Sequence, residues 1–559
     1  MRVTSEVRSE NGAEHIYVNG KKIAPMAYTT YISENNQYPD FAAAGYKLYS
    51  VTVFFGTNRM NENSGLYVLG KGIFDGFEPD FSSFDRDIER ILNACPDAMI
   101  FPRVNVSPSE TWEWLHEDEL CDSGSTSFPE RRRASVSSNL WAEEIKKNLT
   151  SFISHIESMP YRDSIIGYQV AGGNTEEWIA YDGNGYSGKR SRERYADYLK
   201  TSGVPDSEEE YYRFLSRTVA ERIIEFARHI KKLTDSRLIV GSFYGYTLEL
   251  CHKTNAHYAL GMLVRSECID FICSPVSYSS GRALGKEHAY MLPINSLKEH
   301  GKLYFAENDT RTHLSRALND MPAYNRPIWF GPNKQDSLEI LKMHFSKALI
   351  HGHALWWFDM WGGWYDDPSY MDFMRRAREI AEEASELPLA SVSEVAVFID
   401  EDAYSEIPKE ESARDLVWNA RRELGIIGTP HDIYLASDFE AVRKKYKAYI
   451  TIVPASTAKS DEIQRYAKEN GIPNLEIRKE MSAEGIKKYL KEADVHIYSE
   501  EPIILYVNQS YIFIHTIKFG VVNLNLPQKC KLECAFTAKK FESYFVSEGG
   551  KSYLFRKIY

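Results

Sequence analysis

An alternation that runs through two thirds of the chain constrains the fold most: short apolar segments separated by helical stretches. After an entry segment at 15–28, apolar segments recur at 43–56, 98–106, 164–170, 236–246, 269–278, 302–306 and 353–361. Stretches with helical apolar spacing lie between them, at 84–95, 140–156, 208–233 and 337–350. An amphipathic strand would alternate polar and apolar residues, whereas these segments are apolar almost throughout, as strands covered on both faces must be. Eight such strands with intervening helices predict a (β/α)8 barrel. The competing doubly wound sheet would show a glycine-rich phosphate loop after an early strand, and none is present. The first strand is expected to continue out of a hairpin that turns at Asn19 and Gly20, a strong turn pair.

The remaining third changes character at Leu387 and Pro388. Segments 394–400, 431–437 and 447–454, with a helix at 412–424, read as a compact βαβαβ unit of flavodoxin-like pattern. Amidotransferase chemistry would need a nucleophilic cysteine there, and no cysteine occurs between Cys273 and Cys530. From residue 502 short strands separated by Asn, Gly and Pro predict a small antiparallel β-sandwich. The expected organisation is therefore an α/β (β/α)8 TIM barrel at 1–386, a flavodoxin-like βαβ domain at 387–500 and a small β domain at 501–559.

Of the 559 residues, 43% are hydrophobic and 26% charged, as in a soluble globular protein. The net charge of −12 disfavours nucleic acid or an anionic membrane as partner. Seven scattered cysteines form neither a disulfide framework nor a zinc spacing. No apolar run matches a signal peptide or a membrane span, so a cytoplasmic location is expected. Aromatic residues reach 13%, which suits a site that stacks rings against sugar faces.

Chemistry is expected where strands leave the core. The segment 302–313, KLYFAENDTRTH, delivers Glu307 at the end of the seventh strand, next to Asn308, Asp309 and Arg311. A carboxylate there, beside an arginine that can keep it ionised, meets the requirements of a nucleophile. The fourth strand, SIIGYQVAGGNTEEW, ends in Asn174, Glu176, Glu177 and Trp178 after two glycines that permit a sharp turn. Two carboxyl groups about 5–5.5 Å apart are what a retaining glycosidase needs.

Together the hairpin entry, the barrel, the acidic end of strand four, the glutamate of strand seven, the Trp-rich strand eight and the two following domains resemble the clan A glycoside hydrolases, most closely the family 42 type of β-galactosidase. The resemblance implies a retaining exo-β-glycosidase that needs no cofactor and acts on a glycoside or oligosaccharide. It also implies a homo-oligomer, a trimer built partly through the βαβ domain. On this analogy Glu307 is the nucleophile. The family's acid/base glutamate directly follows an asparagine, whereas here Thr175 and Glu176 stand between Asn174 and Glu177. Glu177 is favoured, because an adjacent tryptophan ring would raise its pKa, and Glu176 stays open.

Other expected site residues follow from their places at strand ends. Arg103 and Asn105 end strand three, and either Arg103 or Arg311 is expected to face Glu307. Tyr278, ending strand six, is placed to hydrogen-bond the nucleophile. Trp356, Trp357 and Trp361, with Asp359, follow strand eight, where at least one ring should floor a sugar subsite and the others read as core; Trp112 and Trp114 are candidates for the entrance. Asp366 and Asp367 read as helix caps rather than metal ligands. A lyase would want a strand-end lysine, and none is found. The alternative from another class is a catalytically idle barrel that binds carbohydrate or serves as a scaffold.

Overall fold

In the computed structural model the described residues are 2–57, 72–122, 132–173, 177–179, 187–315 and 333–559. The side chains of residues 280 and 281 also lie outside the description. Eight parallel strands close into a barrel in sequence order: Met26–Thr30, Leu48–Phe54, Met99–Asn105, Gly167–Ala171, Ile239–Phe243, Phe271–Pro275, Leu303–Asn308 and Ala354–Phe358. All eight predicted strands are present. Their near-complete burial follows from the side chains inside the ring and the helices outside it. Phe101, Phe271 and Phe305 meet edge to face in the interior, with centroids 5.8–6.0 Å apart. They fill the barrel below the polar ends of strands three and seven.

The entry hairpin differs from expectation in two ways. It gains a leading strand, Ser5–Glu10, which pairs with Ala13–Val18 across a second Asn-Gly turn at Asn11 and Gly12. The predicted turn at Asn19 and Gly20, both at positive φ, leads only into the two-residue strand Lys21–Lys22. That strand does not run on into the barrel. Pro25 intervenes; it has no N–H for a ladder and offers only its carbonyl, which accepts from Leu355 at 2.8 Å.

After the last barrel helix, Pro368–Ala384, a four-stranded parallel sheet is ordered Asp432–Leu435, Val395–Ile399, Ala448–Ile452, Asn474–Ile477. The last strand and the helices Ala458–Asn470 and Ala483–Glu492 extend the predicted βαβαβ pattern by one unit. The chain ends in antiparallel strands. Five, including Ile503–Val507, Tyr511–Thr516 and Ser552–Ile558, form one sheet, and Gly520–Asn523 pairs with Tyr544–Ser547 as a ribbon. Val522 and Phe545 of the ribbon pack with Phe555 of the larger sheet, which gives the sandwich its core. Among the described residues, no helix is long and apolar enough to cross a membrane.

Candidate active site

The seventh strand carries Glu307 to the barrel mouth with its side chain only 4% exposed. A buried carboxylate must be compensated, and strand three supplies the cation. Arg103 Nη2 donates to Glu307 Oε2 at 2.8 Å, and the Trp356 indole N–H donates to the same oxygen at 3.0 Å. Parallel pairing sets this convergence, because Glu307 is in register with Trp356 on strand eight. The Arg103 guanidinium is itself walled by aromatic rings, with Phe243 at 4.7 Å, Phe358 at 4.9 Å and Trp356 at 5.2 Å. Ring faces that favour a cation, together with a low local dielectric, strengthen and orient the Arg-carboxylate pair.

Of the two arginines proposed to face Glu307, Arg103 makes the contact. Arg311 instead lies over Trp361 at 4.9 Å and Trp364 at 5.9 Å, so it organises the aromatic loop after strand eight. Asn105, two residues beyond Arg103, accepts the Ser107 N–H on Oδ1 at 3.0 Å. Its Nδ2 is buried with no partner among the described residues, leaving a donor at the end of strand three.

Glu177 follows the end of strand four. Gly173 takes a positive φ of 77°, and Trp178 N–H closes onto the Gly172 carbonyl at 2.7 Å. The two glycines have different tasks, for a Cβ on Gly172 would lie 2.9 Å from the Trp178 ring. Trp178, itself at a φ of 60°, buries its indole against Gly172, donates to the Val170 carbonyl at 3.3 Å and stacks with Phe226 of the helix Glu208–Leu233. The ring therefore fills the layer between strand four and its helix. Below the loop, His257 Nε2 lies 3.0 Å from the Glu177 carbonyl, to which its N–H donates. Burial lowers the His257 pKa to about 3, so the ring is neutral. Asn174 and Glu176 lie outside the described residues.

Tyr278, at the end of strand six, directs its hydroxyl to Asp309 Oδ2 at 3.3 Å, and the Arg282 guanidinium lies 4.4 Å over its ring. Burial, then the charge of Asp309, and more weakly those of Glu177 and Glu307, raise its pKa well above the ordinary phenol value. Both candidate carboxylates thus act on the same phenol. Arg282 pairs with Asp309, donates to Thr310 Oγ1 at 3.2 Å and reaches the Val276 carbonyl at 2.6 Å. Sequence reasoning missed Arg282, because it sits in a loop after strand six with no distinguishing pattern.

The strand-eight residues divide. Trp356 touches Glu307, while Trp357 turns outward and donates to the Tyr46 hydroxyl at 2.8 Å. Trp361 tilts against Trp364 at 5.3 Å. Asp359 is fully buried and accepts from Tyr28 Oη, Gly363 N and Trp364 N at 2.8, 3.1 and 2.8 Å. It shapes the loop that carries Trp361. Burial raises its pKa to about 7 against the pull of those three donors. Trp112 stacks on His116 at 4.5 Å, and Trp114 is 74% exposed. Asp367 caps the helix Pro368–Ala384 by accepting from Ser369 N at 2.8 Å. Among the described residues, no group of three or more His, Cys, Asp or Glu is arranged to hold a metal ion.

The closed barrel, a parallel four-stranded sheet and a terminal antiparallel unit make up a fold that is also found in solved β-galactosidases. Several solved proteins share this fold. The β-galactosidase from the psychrophilic Marinomonas ef1 aligns with a TM-score of 0.62 and 11% identity over 95% of this chain and 100% of that one. The β-galactosidase from Bacillus circulans sp. alkalophilus gives 0.58 and 10% over 95% and 98%. The family 42 exo-carrageenase from Bacteroides ovatus gives 0.60 and 12% over 100% and 86%. No protein-family model matches the chain, and no curated protein matches it by sequence.

Proposed function

We propose that this protein is a retaining exo-β-glycosidase that removes a terminal sugar, β-galactosidase-like in reaction. The observation that carries the reading is the buried Glu307 carboxylate, with Arg103 and Trp356 converging on a single oxygen. With Oε2 held, Oε1 attacks the anomeric carbon while Glu177 gives its proton to the leaving glycosidic oxygen, forming a glycosyl ester. Glu177, now a carboxylate, takes a proton from water as that water displaces Glu307, and the sugar leaves with its configuration retained. Asn105, Tyr278 and Trp361 border the sugar. Solved β-galactosidases of the same fold support galactosides as the first substrates to try.

The test is hydrolysis of a nitrophenyl glycoside panel by wild type, Glu307→Ala, Glu177→Ala and Glu176→Ala, with azide added. The expected result is loss of turnover in Glu307→Ala, with azide yielding the α-glycosyl azide, and loss in Glu177→Ala, with azide yielding the β-glycosyl azide. Turnover by Glu177→Ala, with loss in Glu176→Ala, would move the acid/base role by one residue. A wild type that binds sugars but cleaves no glycoside would overturn the enzymatic reading in favour of a carbohydrate-binding barrel. The resemblance also implies a trimer, which light scattering on the eluting protein would measure.

A further inference from the structure

The loop 244–259 after the fifth barrel strand has two sides. Towards the site, the Glu249 carboxylate accepts the Tyr278 backbone N–H on Oε1 at 2.9 Å and the Ser277 hydroxyl on Oε2 at 2.8 Å. Glu249 thereby pins the corner at which strand six turns into Tyr278. Away from the site, the loop is held by the helix Arg414–Leu424 of the parallel-sheet unit. Arg421 Nη2 donates to Glu249 Oε2 at 2.8 Å and Nη1 to the Tyr290 carbonyl at 2.9 Å. Trp418 of the same helix donates its indole N–H to the Glu249 carbonyl at 3.0 Å. Arg421 and Glu249 are each 4% exposed. A carboxylate buried this deeply is held in place by a compensating cation, and the cation comes from the other unit.

We propose that Arg421 is a positioning residue for the barrel site, acting through Glu249 to fix the corner at Ser277 and Tyr278, so that the parallel-sheet unit is a working part of the site. The proposal rests on the reading that Tyr278 borders the sugar. Without Arg421, the Glu249 side chain loses its charged partner and turns from the corner, which releases the Tyr278 N–H. The Tyr278 phenol then loses its fixed approach to Asp309. The cost belongs to the reacting geometry rather than to ground-state binding.

The experiment compares Arg421→Met, Arg421→Lys and Arg265→Met by kinetics and by hydrogen exchange. Arg265 is the control, because it also ties the barrel to the parallel-sheet unit, through Asp438, but lies outside the loop that reaches Tyr278. In Arg421→Met, kcat should fall about 10- to 100-fold, with KM changed by less than about threefold. Arg421→Lys should recover most of the loss, and Arg265→Met should match wild type. Amide exchange across 276–279 should quicken by about tenfold or more in Arg421→Met alone. Unchanged exchange there in folded Arg421→Met, or an equal effect from Arg265→Met, would overturn the proposal. Should Arg421→Met not fold, Glu249→Leu with Arg421→Met, which buries no lone charge, replaces it with the same expectations. A wild type without glycosidase activity would remove the proposed function, while the exchange measurement would still decide whether Arg421 holds the corner.

Discussion

At the scale of single residues, Glu307 is held, among the described residues, by two donors of different kinds, and their removal should have different consequences. Trp356→Phe keeps the packing against Phe305, whose ring centroid is 4.6 Å away, and deletes one hydrogen bond. It should leave the fold intact and lower kcat by about 100-fold, as loss of one oriented donor does elsewhere. Arg103→Met leaves Glu307 buried without its cation and should cost about 3–5 kcal/mol of stability as well as activity. Urea unfolding of the two variants separates these effects: a normal midpoint for Arg103→Met would mean that the pair contributes little to stability.

At the scale of elements, the end of strand four is built like a latch. Trp178 occupies a left-handed backbone position, sparsely populated for a large side chain, and its indole locks against Gly172. Gly172→Ala must push that ring or the strand aside, because its Cβ would fall 2.9 Å from the indole. The expected cost is about 1–3 kcal/mol of overpacking strain, and the displacement reaches Glu177, one residue away. Thermal melts together with kcat should therefore fall in the same variant. A drop in melting temperature with full activity would show that the latch is structural alone. His257 supports the same loop from below, so His257→Phe should lower kcat more than it raises KM.

At the scale of the whole molecule, the protein carries a set of buried neutral histidines that makes it sensitive to acid. His257, His288, His344, His353 and His515 are all buried, and burial lowers every one of their pKa values, to about 3 for His257 and His288 and about 4 for His515. The unfolded chain binds protons at these sites near pH 6.5, before the folded state does, so stability is fully present above that pH and is lost as the pH falls. Each site costs about 1.4 kcal/mol per pH unit below its unfolded pKa, until its folded pKa is reached. The melting temperature should therefore drop steeply between pH 6.5 and about 4.5, with several protons taken up on unfolding. A flat profile over that range would contradict the burial of these rings. His288 and His344 lie 2.7 Å apart, and His344 Nδ1 is 2.6 Å from the side chain of Asn308, next to Glu307, so acid should disturb the site early.

Local pattern alone was enough for the barrel, because strands buried on both faces must be apolar throughout and helices that cover them must be amphipathic. The same logic pointed to Glu307 and Arg103, which the barrel brings into contact, since a charged side chain at the end of an apolar strand has few places to go. Sequence did not separate Arg103 from Arg311, because both adjoin strand ends and only the closed barrel decides which faces Glu307. Nor did it predict that the Trp178 indole would pack on Gly172 and Phe226, since its direction depends on a left-handed backbone and on the space beside Gly172. Glu249, Arg282, His257 and Arg421 carry no local signal: their roles come from contacts between segments 27 to 172 residues apart. Apolar periodicity is a property of neighbours along the chain, whereas compensation of a buried charge is a property of neighbours in space, and only the folded molecule brings those together.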